Sequence, residues 1–213
     1  AEPLTGHLTE GNLAAVRGVG RETQANGAGY VDMATRLFQP SLYRVGELWQ
    51  QNRVSVAQEH LATAIVQNQL AQLYAAADVG PANGRRAVFA CVEGNQHAIG
   101  LRMVCDAFEL AGWEVQYLGA NLPLPALIAQ VATLKPHLVG LSASLAQQIP
   151  TLRTTILTLR AEFDQPGRQC PEIMIGGLAT NQIESVWRSL EADHWSPSAS
   201  IAPASELAGR ISS

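Results

Sequence analysis

The sequence predicts an α/β protein: an N-terminal antiparallel helical bundle followed by a doubly wound domain on a parallel sheet. Three observations predict it. Residues 1–80 place apolar side chains at helical spacing. Residues 81–213 alternate short apolar runs with longer helical stretches, the rhythm of strand–helix–strand units. Between them "ADVGPANGRR" (77–86) reads as a linker, because Gly, Pro, Asn and charge interrupt both periods.

In the first part, "LTEGNLAAVRGVGRETQANG" (8–27) is expected to be one helix, with Thr9 or Asn12 as its cap. "AGYVDMATRLFQPSLYRVGELWQQ" (28–51) follows, with Val31, Ala34, Leu37, Leu42, Val45 and Trp49 in a loose helical period. Pro40 lacks an N–H, so a kink or break is expected near it. "NRVSVAQEHLATAIVQNQLAQLYAAA" (52–77) opens on a capping box, Ser55 and Gln58, and puts Leu61, Ile65, Leu70 and Leu73 near one face.

In the second part the expected strands are "RAVFACVE" (86–93), "EVQYLG" (114–119), "HLVGLSA" (137–143), "EIMIGG" (172–177) and a weak last one near 197–201. Helices are expected over about 98–111, 124–134, 150–163 and 181–190, and from about 204 onward. Sheets of this kind bind ligands at the carboxyl ends of their strands, near the point where strand order reverses. The loops after strands one, three and four, "EGNQHAIG", "SASLAQQ" and "GGLATN", should therefore open on one rim.

Composition excludes several functions. The chain is 47% hydrophobic and 15% charged, which suits a well-cored globular protein. No apolar run is long enough for a bilayer. A net charge of −4 opposes direct contact with nucleic acid. Cys91, Cys105 and Cys170 form no CxxC or zinc spacing and are expected as buried structural thiols in a reducing cytoplasm. The start, "AEPLTGHLTEGN", lacks the basic segment and apolar core of a secretion signal. It also lacks an initiating methionine, and the chain is expected to be a piece of a longer protein.

The rim loops lack the marks of several chemistries. "EGNQHAIG" has no G-x-G-x-x-G spacing and no P-loop lysine. Ser142 or Ser144 with His97 would make a dyad, but no G-x-S-x-G elbow is present. Only Glu93 stands where a phosphoacceptor would need an acidic cluster. A cofactor with a metal centre fits better. Glycines allow close backbone approach, and small residues in all three loops leave a slot. His97 offers an imidazole, a common metal ligand, with Asn95 two residues before it as an orienting acceptor.

Asn95-Gln96-His97-Ala98-Ile99-Gly100, with Ser142-Ala143-Ser144-Leu145 and Gly176-Gly177, resembles the cobalamin-binding pattern D-x-H-x-x-G…S-x-L…G-G. That resemblance implies a flavodoxin-like or Rossmann-like domain. It implies that His97 coordinates cobalt from below, and that the serine region and Gly176-Gly177 line the slot for the nucleotide tail. Asn95 departs from the pattern, which has an acid there. An amide still accepts a hydrogen bond but carries no charge, so a weaker cobalt bond is expected.

The helical part extends the resemblance. Trp49, followed by Glu59-His60 in "GELWQQNRVSVAQEHLAT", is similar to the W-x9-E-H signature of CarH-type light-sensing regulators. "YLGANLPL" (117–124), with Leu118, resembles a further segment of that group. The resemblance implies a helical cap over the corrin ring. Trp49 would shelter the upper ligand of adenosylcobalamin or methylcobalamin, with Glu59 and His60 beside it, and hydroxocobalamin would remain after photolysis. There are two departures. Gln50 stands where the best-known sensors have a second cobalt-ligating histidine, with His60 as a substitute. No helix-turn-helix module is visible. The expected activity is sensing and not enzymatic, with output through a homo-oligomer or a regulatory protein partner. A corrinoid carrier in methyl transfer is the alternative.

Overall fold

The computed structural model describes residues 2–165, 170–182 and 188–198. The chain divides into two units, Ala1–Asp78 and Val79–Ser213.

The first unit is helical. α1 (Glu2–Glu10) and α2 (Leu13–Ala25) replace the single helix expected over 8–27. Gly11 adopts φ +71°, a left-handed conformation that ends α1. Asn12 then caps α2 by accepting the Ala15 N–H at 3.1 Å. The next helical run is α3 (Tyr30–Asp32), a π-helical segment Met33–Phe38 and α4 (Gln39–Gln50). Pro40 does not break this run. The π segment runs up to it, and the Gln39 N–H reaches back five residues to the Ala34 carbonyl. The wider turn precedes the position where the missing N–H would have interrupted the α ladder.

α5 (Val56–Ala75) starts at the expected capping box: Ser55 Oγ accepts the Gln58 N–H and Gln58 Oε1 accepts the Ser55 N–H. Its buried stripe is Ala62, Ile65, Val66, Gln69 and Leu70. Leu61 lies one residue off that stripe, about 100° round the helix, and is exposed. Leu4, Leu8, Val16, Met33, Phe38 and Val45 complete the core of this unit.

The second unit is a five-stranded, all-parallel sheet: β1 (Arg86–Cys91), β2 (Glu114–Tyr117), β3 (Leu138–Ser142), β4 (Glu172–Gly176) and β5 (His194–Ser196). The spatial order is β2-β1-β3-β4-β5, so strand order reverses between β1 and β3. Helices α6 (Ile99–Leu110), α7 (Leu124–Leu134), α8 (Ile149–Phe163) and α9 (Leu178–Gln182) form the crossovers. β5 lies earlier than the stretch near 197–201. Its His194, Trp195 and Ser196 pair with Met174, Ile175 and Gly176. α9 starts at Leu178, three residues before the expected helix. The remainder of 181–190 is only partly described, and 199–201 and the expected C-terminal helix lie outside the described residues.

Both sheet faces are covered, which is why the inner strands β1, β3 and β4 read as continuous apolar runs. Val88, Ala90, Val139, Leu141, Ile173 and Ile175 pack with α7 and α8. Ala87, Phe89, Cys91, Leu138 and Met174 pack with α6 and Trp113. Gly140 sits opposite Phe89 in register, and any Cβ there would overlap the Phe89 ring. Among the described residues no helix is long and apolar enough to cross a membrane.

Candidate functional site

The carboxyl ends of β1 and β3 carry the histidine loop. β1 runs into Val92, whose N–H donates to the Ser142 carbonyl at 3.1 Å. The chain then turns through Gly94 at φ +84°. Asn95 is fully buried and holds the turn with both ends of its side chain. Its Nδ2 donates to the Ser142 carbonyl at 2.9 Å and its Oδ1 accepts the backbone N–H of His97 at 3.1 Å. The Asn95 oxygen thus holds the His97 backbone and not the ring. It pins the loop, a different task from orienting an imidazole.

His97 and Gln96 are exposed. Among the described residues neither ring nitrogen of His97 makes a hydrogen bond. Ala98 is the residue before α6, and its carbonyl accepts the Tyr117 hydroxyl at 3.4 Å and the Arg102 N–H at 2.9 Å. Ile99 is half-buried at the start of α6 and Gly100 is exposed after it. A Cβ at Gly94, Gly100 or Gly119 would meet nothing within 4 Å, so the backbone is open on this rim.

Leu118, half-buried after β2, donates its N–H to the Phe89 carbonyl at 2.8 Å. Ser142 ends β3 and is 5% exposed, Ser144 is half-buried and Leu145 is exposed. Gly176 ends β4 and Gly177 follows at φ +104°. A Cβ on Gly177 would overlap the Ala143 carbonyl oxygen, and the Ala143 N–H donates to Gly176 O at 3.1 Å. The two glycines let the loops after β3 and β4 touch at backbone distance.

Two residues of this rim carry no sequence signature. Asn121, at φ 51°, accepts the Gly94 N–H through Oδ1 at 2.7 Å and donates its own N–H to the Asn95 carbonyl at 2.9 Å. Gln148 accepts the N–H groups of Ser144 and Leu145 and donates to the Gly94 carbonyl. A capping-box spacing counted from Ser144 falls on Gln147, which is exposed. Only the folded turn shows that Gln148 is the one used.

Cys91 lies beneath the loop at the end of β1. Burial pushes its thiol up to about 12, with a hydrogen bond to Ser142 working the other way. Burial also holds the Cys105 thiol well above its usual value. Neither is a nucleophile at neutral pH.

In the helical unit, Trp49 lies in the last turn of α4 and is 45% exposed. The turn to α5 is fixed by the Asn52 and Arg53 N–H groups, which donate to the Trp49 and Leu48 carbonyls at 2.9 Å. Glu59 lies in the first turn of α5, where the helix dipole favours a carboxylate. Its Oε2 is 2.7 Å from His60 Nδ1 and its Oε1 accepts the Thr63 hydroxyl at 2.9 Å. Gln50 and His60 are exposed.

Among the described residues no group of three or more His, Cys, Asp or Glu side chains is placed to hold a metal ion. A single imidazole with both nitrogens unused, over an open glycine-rich rim, suits a metal that brings its own equatorial ligands. The residues present therefore fit a corrinoid.

Comparison with known proteins agrees. The family description "B12 binding domain" matches residues 85–198, and a second family of the same description matches residues 1–74. The HTH-type transcriptional repressor CarH of Myxococcus xanthus is 32% identical over 151 residues, 71% of this chain and 48% of that protein. Dimethylamine corrinoid protein 1 of Methanosarcina acetivorans is 31% identical over 119 residues, 54% of this chain and 53% of that protein. This chain spans about half the length of these curated relatives. The monomethylamine corrinoid protein of Methanosarcina barkeri shares the fold, with a TM-score of 0.78, 19% identity, and coverage of 98% of this chain and 96% of that one. With the histidine loop, the serine turn and the paired glycines on one rim, these matches establish that the chain belongs to the B12-binding domain family and is a cobalamin-binding protein resembling the CarH-type regulators.

Proposed function

We propose that this chain is the cofactor-binding, sensory part of a light-responsive regulator, and that it works by binding and not by catalysis. Two observations carry the reading, each within its own unit: an exposed, hydrogen-bond-free His97 imidazole in the sheet unit, and an exposed Trp49 with a Glu59–His60 pair in the helical unit. When bound, adenosylcobalamin or methylcobalamin would supply a light-sensitive cobalt–carbon bond. His97 would hold cobalt through one ring nitrogen. Ser142, Ser144, Leu145, Gly176 and Gly177 would line the nucleotide slot, with Leu118 and the Asn95–Gly100 loop at its mouth.

Trp49 offers an aromatic face that excludes water from an alkyl group. The Glu59 carboxylate and, with Nδ1–H turned to that carboxylate, the Nε2 lone pair of His60 offer acceptors for ribose hydroxyls or the adenine amino group. These groups would contact an alkyl form of the cofactor and not a form without that group, and only such a difference can bias the helical unit. With Gln50 beside Trp49, His60 is the histidine of this segment that would be available to a metal. Output passes to a second copy of the chain or to a regulatory protein in the cytoplasm, without direct contact of this chain with nucleic acid.

A corrinoid carrier in methyl transfer is the second reading. The similarity to dimethylamine corrinoid protein 1 supports it, at nearly the same identity as CarH. That reading leaves Trp49 and the Glu59–His60 pair without a task. The test is to purify the chain in the dark, add adenosyl-, methyl- and hydroxocobalamin separately, and record absorbance and elution volume before and after green light. The sensor reading expects tight binding of an alkyl form, a spectral change and a shifted elution volume. Photolysis with unchanged elution and unchanged helical content selects the carrier.

A further inference from the structure

Both backbone polar groups of Gly94 are held by side chains from other loops. Its N–H donates to Asn121 Oδ1 at 2.7 Å, from the loop after β2. Its carbonyl accepts Gln148 Nε2 at 2.9 Å, from the turn after β3. Gln148 is 5% exposed and uses its other end as well: Oε1 accepts the N–H groups of Ser144 at 2.9 Å and Leu145 at 3.0 Å. Those two bonds close the turn before α8 together with the Gln148 N–H, which donates to the Leu145 carbonyl at 2.9 Å. The bond to Gly94 is a separate task that joins two loops.

What lies downstream explains the task. The Asn95 N–H donates to Val92 O and the His97 N–H to Asn95 Oδ1, so backbone bonds set the loop. The His97 ring has no such support. Its presentation depends on where the loop backbone stands, and the Gly94 carbonyl is the point at which the β3 turn holds that backbone.

We infer that Gln148 is a positioning residue for His97: it locks Gly94 to the turn after β3, and so fixes the loop from which the imidazole is offered to cobalt. The inference rests on the proposed role of His97 as the lower ligand. It adds that the Ser144–Leu145 segment and the histidine loop move as one body, because one amide side chain serves both. Without the lock the competent loop is only one of several populated, and apparent affinity falls by that fraction.

Gln148→Glu tests this. The carboxylate still accepts from Ser144 and Leu145, but it cannot donate and it sets an oxygen against the Gly94 carbonyl. Hydroxocobalamin is titrated into ¹⁵N-labelled wild type, Gln148→Glu and His97→Ala, and the affinity is read by absorbance. The bound cofactor is then reduced to Co(II), and the hyperfine splitting from a protein nitrogen is read by electron paramagnetic resonance. Amide exchange at Gly94 and Asn95 is followed in the cofactor-free proteins. The expectation is roughly 10–100-fold weaker binding by Gln148→Glu, the range seen when groups supporting a metal ligand are removed. The protein-nitrogen splitting should be reduced and the exchange faster, with the thermal transition still cooperative. Asn121→Ala, which frees the Gly94 N–H, should act in the same direction and carries the test if Gln148→Glu does not fold. Wild-type affinity and splitting in the variant would overturn the role of Gln148 alone. No protein-nitrogen splitting in wild type, or the same splitting in His97→Ala, would overturn the lower-ligand reading itself.

Discussion

Asn95 Oδ1 accepts the backbone N–H of His97 at 3.1 Å, and the opposite end of the same amide donates to the Ser142 carbonyl at 2.9 Å. The amide is therefore matched to two partners of opposite kind. An acid at this position, as the family pattern has it, would keep the first bond and lose the second. In a fully buried site it would also set a carboxylate oxygen against a carbonyl.

Asn95→Asp should destabilise the cofactor-free protein by about 1–3 kcal/mol at neutral pH, the cost of leaving a buried polar partner unmatched. Urea unfolding at neutral and mildly acidic pH checks it. The deficit should shrink on acidification, because a protonated Asp regains a donor.

Gly177→Ala should cost roughly 2–4 kcal/mol, since it combines a left-handed φ of +104° with a clash on the Ala143 carbonyl. Any relief moves the loops after β3 and β4 apart. A thermal melt of the cofactor-free protein measures the first effect. If the slot lies between these loops, cobalamin affinity should fall by more than the loss of folded protein explains.

Trp49→Ala should cost about 1–3 kcal/mol of stability, because the residue is 45% exposed and more than half of its large apolar surface is covered. Binding of adenosylcobalamin should weaken while hydroxocobalamin binding stays near wild type. Equal loss for both forms would assign Trp49 to general packing.

Native protein treated with iodoacetamide at pH 8 should be modified at Cys170, which is half-buried, and spared at Cys91 and Cys105. Peptide mass spectrometry reads the sites. The raised thiols also set a pH dependence. Cys91 rises from 9.0 to about 12 on folding, so it contributes stability in full below about pH 9, and that contribution is lost as the pH climbs toward 12. Cys91→Ala should flatten the alkaline limb of a stability–pH curve.

Much of the fold was legible because its signals are local. Continuous apolar runs marked β1, β3 and β4 since both sheet faces are covered there. Ser55 and Gln58 marked the start of α5 because a capping box closes within four residues. Gly11 showed the limit of periodicity: the apolar pattern runs through it, and only its φ splits α1 from α2. Leu61 fits a helical stripe on paper yet is exposed, because which stripe is buried depends on the neighbouring helices.

The sequence by itself determined the helical and α/β parts, the rim loops and the imidazole at position 97, since residue type and spacing carry those. Tertiary structure alone decided that Asn95 holds the His97 backbone, that Asn121 and Gln148 grip Gly94 from two other loops, and that Gln148 is used where Gln147 is exposed. The reason is physical. A side-chain amide bonds whatever the fold brings within about 3 Å, and the partners here lie 27 and 54 residues away along the chain.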